Sequence, residues 1–443
     1  MKFLRIAARI ILPGLLAASP AAAQTPGRMS IGCDESTVSL WWSCATGRSY
    51  MIYATGALTG SWSEVETVPK PLVAVSNQLW YSLATPTNRQ FFFRVNELAD
   101  GGVTNNFQLE ITTTNSPQDF ICRFLDPGTL HVDWGDGSSN DFNSSITNTH
   151  QYAAAGVYTI RLSGHVHLID LFVYPDPGIG TPKLVSAIKT PVRGITGLNS
   201  AYEMFKHCEN ITNIPSGLFN QCPGITTFYD TFLACKKITA IPPDLFSAQS
   251  NAVNFYAVFD NCDLLRDIPA SLFDRHTNNV NFAWLFAKCY SLTNVPAGLF
   301  TRHPKVTTFD HVFYNCYALP SLASGMFTNN PLATTFAYAF YQCRALTSVP
   351  QGLFNKNTAV TTFAYAFYGC TNLTLVPSDL FANNANVTNF TSAFEGCSQL
   401  TGESPTGPGG KKLWELTPAP IGTRCFRNCT KLTDYDTIPA EWK

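Results

Sequence analysis

The sequence is poor in charged residues and lacks the motifs of common catalytic and nucleotide-binding sites. Only 13% of its 443 residues are charged, the formal net charge is −1, and no segment is rich in Lys and Arg. This composition disfavours nucleic acids and anionic membranes as partners, because both attract basic surfaces. The sequence has no G-x-S-x-G, H-E-x-x-H or P-loop motif. We therefore expect a protein that is not an enzyme and needs no cofactor or metal.

Long hydrophobic runs are missing as well, so no transmembrane segment is predicted, because a bilayer-spanning helix needs about 18 apolar residues. The first 23 residues have the pattern of a signal peptide. Lys2, Arg5 and Arg9 precede or flank an apolar stretch at 10–16, and small residues lead up to Ala23. We expect cleavage after Ala23 and a mature chain that is exported, either secreted or held at the cell surface.

Fourteen cysteines in an exported chain would ordinarily indicate disulfides, but eight of them recur at intervals of 27 residues, which indicates stacked repeats. Equivalent side chains in stacked repeats lie about 4.8 Å apart, wider than the ~3.8 Å between disulfide β-carbons. Metal ligation would need clustered Cys and His, and the cysteine column is not accompanied by a column of histidines. We predict a column of buried free thiols (Cys208, Cys235, Cys262, Cys289, Cys316, Cys343, Cys370, Cys397). Cys33 and Cys44 are a candidate disulfide. Four cysteines have no assigned role (Cys122, Cys222, Cys425, Cys429).

Phenylalanine recurs in register with these cysteines, three residues before, seven before and eleven after, and these columns hold 22 of the 32 Phe residues. Stacked coils would bury such rings in a continuous core, which predicts a mainly β fold: a leucine-rich-type parallel solenoid of 27-residue coils with short helical turns. Apolar and polar residues alternate at 292–295 and 346–349, which predicts one short strand per coil, ended by the following proline. Phe363 and Phe367, four residues apart, predict one helical turn with both rings inward.

The repeated unit resembles the BspA-like leucine-rich repeats of bacterial surface proteins. The resemblance rests on the pattern Ala-Phe-x-x-Cys-x-x-Leu, seen for example at 366–373, and we assign residues 180–443 to it. A Pro/Gly-rich break at 402–410 precedes a C-terminal cap that we place from about residue 411, since terminal coils must cover an open core. The resemblance implies adhesion to matrix proteins or to other cells.

Two β-modules are predicted before the repeats. Residues 106–175 resemble the PKD domain, an immunoglobulin-like sandwich, through the segments 132–137, 150–152 and 156–162. Residues 29–97 are rich in β-forming residues and resemble fibronectin-type-III-like modules of exported proteins.

Two groups of polar residues in the PKD-like module could bind a metal. Asp133, Asp136 and Asp141 could suggest calcium, but their spacing differs from the EF-hand loop and Asp/Gly clusters are common in turns. His150, His165 and His167 could also bind a metal. We favour ordinary structural roles for both groups.

Aromatic residues also recur at two positions that the Phe columns do not use, two and five residues before the cysteine. Such side chains offer large contact area with a polar tip, which suits a binding surface for a protein or glycan, and the alternative is that the rings pack along the outer wall between coils. The candidate ligand-binding residues are Trp284, His311, Tyr314, Tyr338, Tyr341, Tyr365 and Tyr368. We expect an adhesion or binding protein. An extracellular carbohydrate-active or proteolytic enzyme with appended β-modules, or a structural envelope component, is the alternative.

Overall fold

The computed structural model describes residues 106–172 and 181–443, and within residues 29–97 it describes the backbone of seven strands. The chain divides into two compact units, Met1–Asn105 and Asn106–Lys443. The predicted signal peptide and the side chains of Cys33 and Cys44, the candidate disulfide, lie outside the described part of the chain. Within the described part of the chain, no helix is long and apolar enough to span a membrane.

The described strands of the first unit form two antiparallel sheets. One has the strand order β1-β2-β6; in the other, β3 pairs with β4, β5 and β7. The strands are β1 Met29–Cys33, β2 Thr37–Ser43, β3 Ser49–Thr55, β4 Ser63–Glu64, β5 Leu72–Val73, β6 Gln78–Ala84 and β7 Phe92–Glu97.

The second unit begins with two more sheets. The larger has the order β11-β10-β13-β8-β15 with β16 beside β13, and the smaller has the order β12-β9-β14. Alternate residues of β8 are buried, as expected for a strand with one face on a core. The strands are β8 Phe107–Thr113, β9 Gln118–Leu125, β10 Leu130–Asp133, β11 Ser139–Phe142, β12 Ile146–Tyr152, β13 Gly156–His165, β14 Leu168–Asp170, β15 Val185–Ile188 and β16 Ile195–Thr196.

The second β-module, which includes residues 106–172 and is called the β-module below, shares one core with the first repeat. Strands β15 and β16, which the sequence analysis assigned to the repeats, instead complete the larger sheet of the module. The ring of Phe107 in β8 lies 6.4 Å from that of Phe205 in the first repeat, and Asn199 donates its N–H to the carbonyl of His167. The module therefore covers the N-terminal end of the repeats, where an open core would otherwise face water.

Each repeat forms one coil that pairs with the next through its backbone. Eight residues before each cysteine, single parallel bridges join successive coils (Thr227, Asn254, Asn281, Thr308, Thr335, Thr362, Asn389, Ile421). In place of the predicted strands at 292–295 and 346–349, the structure has one isolated β-bridge in each segment, at Asn294 and Ser348. They stay short because a turn precedes them and a proline, which has no N–H, follows. We call this array of paired coils the coil stack.

The predicted helical turn between paired phenylalanines is wrong. Phe363 and Phe367 donate their N–H groups to Asn389 and Ala393 in the next coil, at 3.0 and 2.8 Å, whereas a helix would direct them back into its own coil. Tyr365 between them has a φ of 58°, which is left-handed backbone and not helical. All coils share this conformation five residues before the cysteine (Glu203, Asp230, Ala257, Trp284, His311, Tyr338, Tyr365, Ser392, Arg424).

The three phenylalanine columns are fully or almost fully buried and form the core of the coil stack. Equivalent rings of adjacent coils lie nearly parallel; for example, Phe340 and Phe367 have centroids 5.3 Å apart and planes 13° apart. Rings from different columns meet at steep angles, as Phe327 and Phe336 do at 67°. Both arrangements are favoured by the quadrupoles of aromatic rings.

A column of buried polar side chains, which the sequence analysis missed, also links the coils. It lies fourteen residues after the cysteine (Gln249, His276, His303, Asn330, Asn357, Asn384). The side-chain amide of Asn357 donates to the carbonyls of Phe327 and Asn330 in the preceding coil, at 3.0 and 2.9 Å. Burial lowers the pKa of His276 to about 4, so its ring is neutral. The repeated Asn at a fixed distance from the cysteine was the signal that could have revealed this column.

The described cysteines are all free and buried. Each thiol of the column after the first donates to a Phe carbonyl in the preceding coil, as Cys343 does to Phe313 at 3.3 Å. Cys429 continues the column beyond the insertion, with its sulfur 3.0 Å from the Phe394 carbonyl. Burial raises the pKa of the Cys343 thiol well above its usual range, so it remains protonated.

This burial predicts that the native protein reacts poorly with thiol reagents, because only the thiolate is nucleophilic and none of the twelve described thiols is exposed. Titration with a chromogenic disulfide at mildly alkaline pH should detect at most Cys33 and Cys44 in the native chain. The described twelve should react once the protein is unfolded in denaturant. A double Cys33→Ser/Cys44→Ser variant provides the control, and rapid native labelling of that variant would contradict the buried thiol column.

The C-terminal end of the coil stack is closed by the last residues of the chain. Arg424 and Phe426 donate their N–H groups to the carbonyls of Glu441 and Trp442. Gly422 occupies a position of the phenylalanine column, and a β-carbon there would lie 2.0 Å from the Trp442 ring, so the indole takes the space of the missing ring. Five short 3-10 helices flank the stack (Pro182–Leu184, Pro408–Gly410, Leu413–Glu415, Tyr435–Thr437, Ala440–Trp442).

Candidate binding surface

The aromatic residues five positions before the cysteine form a continuous stack on the surface of neighbouring coils. The ring of Trp284 lies 3.8 Å from that of His311, His311 lies 4.4 Å from Tyr338, and Tyr338 lies 4.6 Å from Tyr365. Their planes differ by 13° or less. The left-handed backbone at this position gives each coil the same geometry and so keeps the rings aligned.

A second column runs beside the first, two positions before the cysteine. Tyr314, Tyr341 and Tyr368 stack with centroids 4.7 Å apart at each step. The columns touch, because Tyr341 lies 5.8 Å from Tyr338 and Tyr368 lies 5.9 Å from Tyr365. The structure thus brings all seven residues of the sequence-based candidate site together. We call them the aromatic strip (Trp284, His311, Tyr314, Tyr338, Tyr341, Tyr365, Tyr368).

Further aromatic residues were missed by the sequence analysis. Tyr290 and Tyr317, one position after the cysteine, stack at 4.9 Å, and the Arg344 guanidinium lies 4.5 Å from the Tyr317 ring. Three tyrosines of earlier coils, six positions before the cysteine, form another stack with steps of 5.0 and 4.7 Å (Tyr202, Tyr229, Tyr256). Their spacing of 27 residues was a visible signal. We call these three the N-terminal tyrosine column.

Charged groups next to the aromatic strip are engaged with partners. The Lys288 ammonium contacts the Asp260 carboxylate at 3.3 Å and the Trp284 ring at 5.3 Å. His311 Nδ1 lies 2.8 Å from an oxygen of Asp310. Burial raises the pKa of Tyr341, so its hydroxyl stays neutral and can both donate and accept hydrogen bonds. Apart from His311, which is paired with Asp310, the strip is therefore a surface of aromatic rings and hydroxyl groups.

The strip residues are half-buried. Within each column a ring's faces lie against its neighbours, so contact with a ligand would be made mainly through ring edges and hydroxyl groups. Packing along the outer wall, the alternative raised by the sequence, therefore coexists with a surface that a ligand can reach. Rings held in this way lose little conformational freedom on binding.

The two candidate metal groups of the β-module are not arranged as metal sites. Each of the three Asp side chains has a different basic partner: Asp133 contacts Arg161, Asp136 contacts His150, and Asp141 contacts His131. The rings of His165 and His167 meet edge to face with centroids 5.3 Å apart, whereas His150 stacks on Trp134. Within residues 106–172 and 181–443, no group of three or more His, Cys, Asp or Glu side chains could hold a metal ion.

Comparison with known families matches part of the coil stack. Residues 285–404 match the family model described as BspA type leucine rich repeat region, in six copies. The repeats are similar to that family. The matched segment includes six of the seven residues of the aromatic strip, and Trp284 immediately precedes it. Comparison with curated proteins and with solved structures gave no match.

Proposed function

We propose that this chain is an exported binding or adhesion protein that uses the aromatic strip to hold an extracellular protein or glycan. The observation that carries this proposal is the strip itself: seven neighbouring, partly exposed aromatic residues stacked across four coils. The core of the coil stack is formed by buried side chains, and none of the strip residues is among them, so core packing does not account for surface rings at these positions. BspA-type repeats, to which the matched segment is similar, are typical of bacterial surface proteins.

The chemistry of the strip favours an uncharged ligand surface. Tyrosine and tryptophan are enriched among residues that dominate binding energy, because they combine large contact area with few rotatable bonds. The neighbouring Lys288 already contacts Asp260, which disfavours a strongly acidic ligand. Exposed hydroxyl groups supply hydrogen bonds that a peptide backbone or a sugar can accept or donate.

The proposal also includes the architecture of the chain, its export and its action by binding alone. We propose that the coil stack is a parallel solenoid, with the PKD-like module covering its first coil and the fibronectin-type-III-like module preceding both. Export would follow from the signal peptide at 1–23, and the chain would act by binding, without enzymatic activity. Repeat arrays suit this role because they present wide surfaces built from rigid, stacked units.

Replacing Tyr314, Tyr341 and Tyr368 together with Ser is expected to weaken ligand capture at least about tenfold, since truncating a single central aromatic often costs more than 1 kcal/mol. The measurement is affinity for ligands found by screening residues 24–443 on glycan arrays and on matrix proteins. Replacing the N-terminal tyrosine column with Ser is the matched control, since it removes three stacked tyrosines outside the strip. Thermal unfolding of both variants checks that the repeats remain folded.

Three other results would contradict this proposal or favour an alternative function. Equal binding by the strip variant and the wild type would remove the strip from the proposal. Turnover of a polysaccharide or protein substrate, abolished by changing one carboxylate or serine, would favour the enzyme. Sedimentation with the cell envelope, with no captured ligand, would favour a structural component.

A further inference from the structure

Many of the tyrosines in the described coils are arranged in parallel pairs, one coil apart. Tyr341 and Tyr368 have centroids 4.7 Å apart and planes 4° apart, and Tyr338 and Tyr365 have centroids 4.6 Å apart and planes 6° apart. Four further pairs have centroids 4.7–5.0 Å apart (Tyr314–Tyr341, Tyr290–Tyr317, Tyr229–Tyr256, Tyr202–Tyr229). In every pair the two residues are 27 positions apart.

We propose that these stacked tyrosines are a site of oxidative modification, at which a peroxidase with hydrogen peroxide joins adjacent coils through dityrosine bonds. Each of two phenols loses one electron and one proton to become a phenoxyl radical. The radicals couple by forming a carbon–carbon bond between ring carbons next to the hydroxyl-bearing carbon, and a proton on each of these carbons then moves to the phenol oxygen. Two phenols and one hydrogen peroxide thus give one dityrosine and two water molecules.

The geometry favours coupling within one chain. The coil backbone holds the two rings of a pair face to face before either is oxidised, so a radical meets its partner without diffusion, and such preorganisation raises effective concentration strongly. The side chains of Tyr314, Tyr341 and Tyr368 are partly exposed, so an oxidant in solution can reach them. Burial raises the pKa values of Tyr314 and Tyr341, so each phenol carries the proton that it loses on oxidation.

The β-module contains a tyrosine pair that differs from the coil pairs in exposure. Tyr152 and Tyr158 are closer than any of the coil pairs, with centroids 4.3 Å apart. Tyr152 is fully buried, and its hydroxyl donates to the carbonyl of Trp134 at 2.9 Å. Proximity alone therefore predicts coupling at this pair, whereas proximity combined with exposure predicts coupling only in the coils.

The experiment treats the full chain with horseradish-type peroxidase and limiting hydrogen peroxide, and then records dityrosine fluorescence and maps cross-linked peptides by mass spectrometry. The expected products are intrachain links between residues 27 apart, with none at Tyr152–Tyr158. The yield of these links should fall at least about tenfold when the chain is unfolded in denaturant during oxidation, because preorganisation is lost. A chain whose adjacent coils are cross-linked should also unfold at a higher temperature than the untreated chain.

Tyr341→Phe keeps the stacked ring but removes one phenol, so it should abolish the Tyr314–Tyr341 and Tyr341–Tyr368 links and leave the Tyr338–Tyr365 link unchanged. This variant retains the core residues, so its folding is not in question. The proposal is overturned if dityrosine forms only between chains, if the mapped links do not have the 27-residue spacing, or if native and unfolded chains give equal yields. Oxidation of Met or Trp without dityrosine would overturn it as well.

Discussion

Phe336→Ala is expected to lower the free energy of unfolding by about 3–5 kcal/mol, the usual cost of truncating a buried aromatic side chain. The Phe336 ring is fully buried and touches four other rings: Phe327 and Phe354 at 4.8 Å each, Phe309 at 5.3 Å and Phe363 at 5.8 Å. Its loss leaves a cavity that stacked coils cannot close, because the backbone bridges on both sides hold their spacing. Denaturant unfolding followed by circular dichroism measures the effect.

Leu332→Ala is the matched control for this prediction. Leu332 lies in the same coil and loses an apolar side chain of similar kind, but it is 52% exposed. We expect a change within about 1 kcal/mol, as for most surface substitutions. If the two variants lost similar stability, the phenylalanine columns would not be the principal core of the coil stack.

Arg123→Leu is expected to destabilise the β-module by about 3–5 kcal/mol at neutral pH, because it leaves the buried carboxylate of Asp170 without its cation. Arg123 Nη2 lies 2.6 Å from Asp170, whose side chain is 0% exposed and also accepts the N–H of Phe172. Burial raises the pKa of Asp170 to about 6, and Arg123 acts in the opposite direction. Without the cation, the pKa should rise further.

The sign of the pH dependence follows from these shifts. A carboxyl group whose folded pKa exceeds its unfolded value disfavours folding when it is ionised, so this cost grows as pH rises through the folded pKa and disappears as pH falls below the unfolded pKa. The variant should therefore differ most from the wild type at about pH 8 and least at about pH 5, where Asp170 is largely protonated in the folded variant.

Arg161→Leu provides the control in the same module. Arg161 contacts Asp133 at 3.1 Å, but both side chains are more than a third exposed. Solvent-exposed ion pairs contribute little, so we expect a change within about 1 kcal/mol and little dependence on pH. Chemical denaturation at several pH values compares the two variants. Equal and pH-independent losses would contradict the assignment of a buried charge to Asp170.

The sequence was informative about the repeats because stacked coils impose one environment on each position. Cysteine and phenylalanine at fixed intervals predicted which residues share a column, and the structure shows the same columns buried. The candidate site could be predicted for the same reason, since its seven residues recur at two fixed positions of the repeat, five and two residues before the cysteine. The BspA-type match extends this to six copies within residues 285–404.

The local backbone conformation of the coils was harder to predict from the sequence. A spacing of four residues between Phe363 and Phe367 fits a helical turn, but the same spacing also fits the left-handed turn at Tyr365, and only bonds to the next coil separate the two. The buried polar column was likewise missed, because Asn357 in isolation is typical of a surface turn. Its role depends on carbonyls contributed by Phe327 and Asn330 of the preceding coil.

The sequence by itself determined the period of the repeat, the residues that line its core and the positions of the surface aromatics, because a regular array repeats its chemistry along the chain. Only the tertiary structure decided how those residues meet: that Tyr341 stacks on Tyr314 and Tyr368, that β15 and β16 join the preceding sheet, and that Trp442 fills the space above Gly422. The physical reason is that these contacts depend on backbone direction and on partners distant in sequence, which a pattern of residue types does not specify.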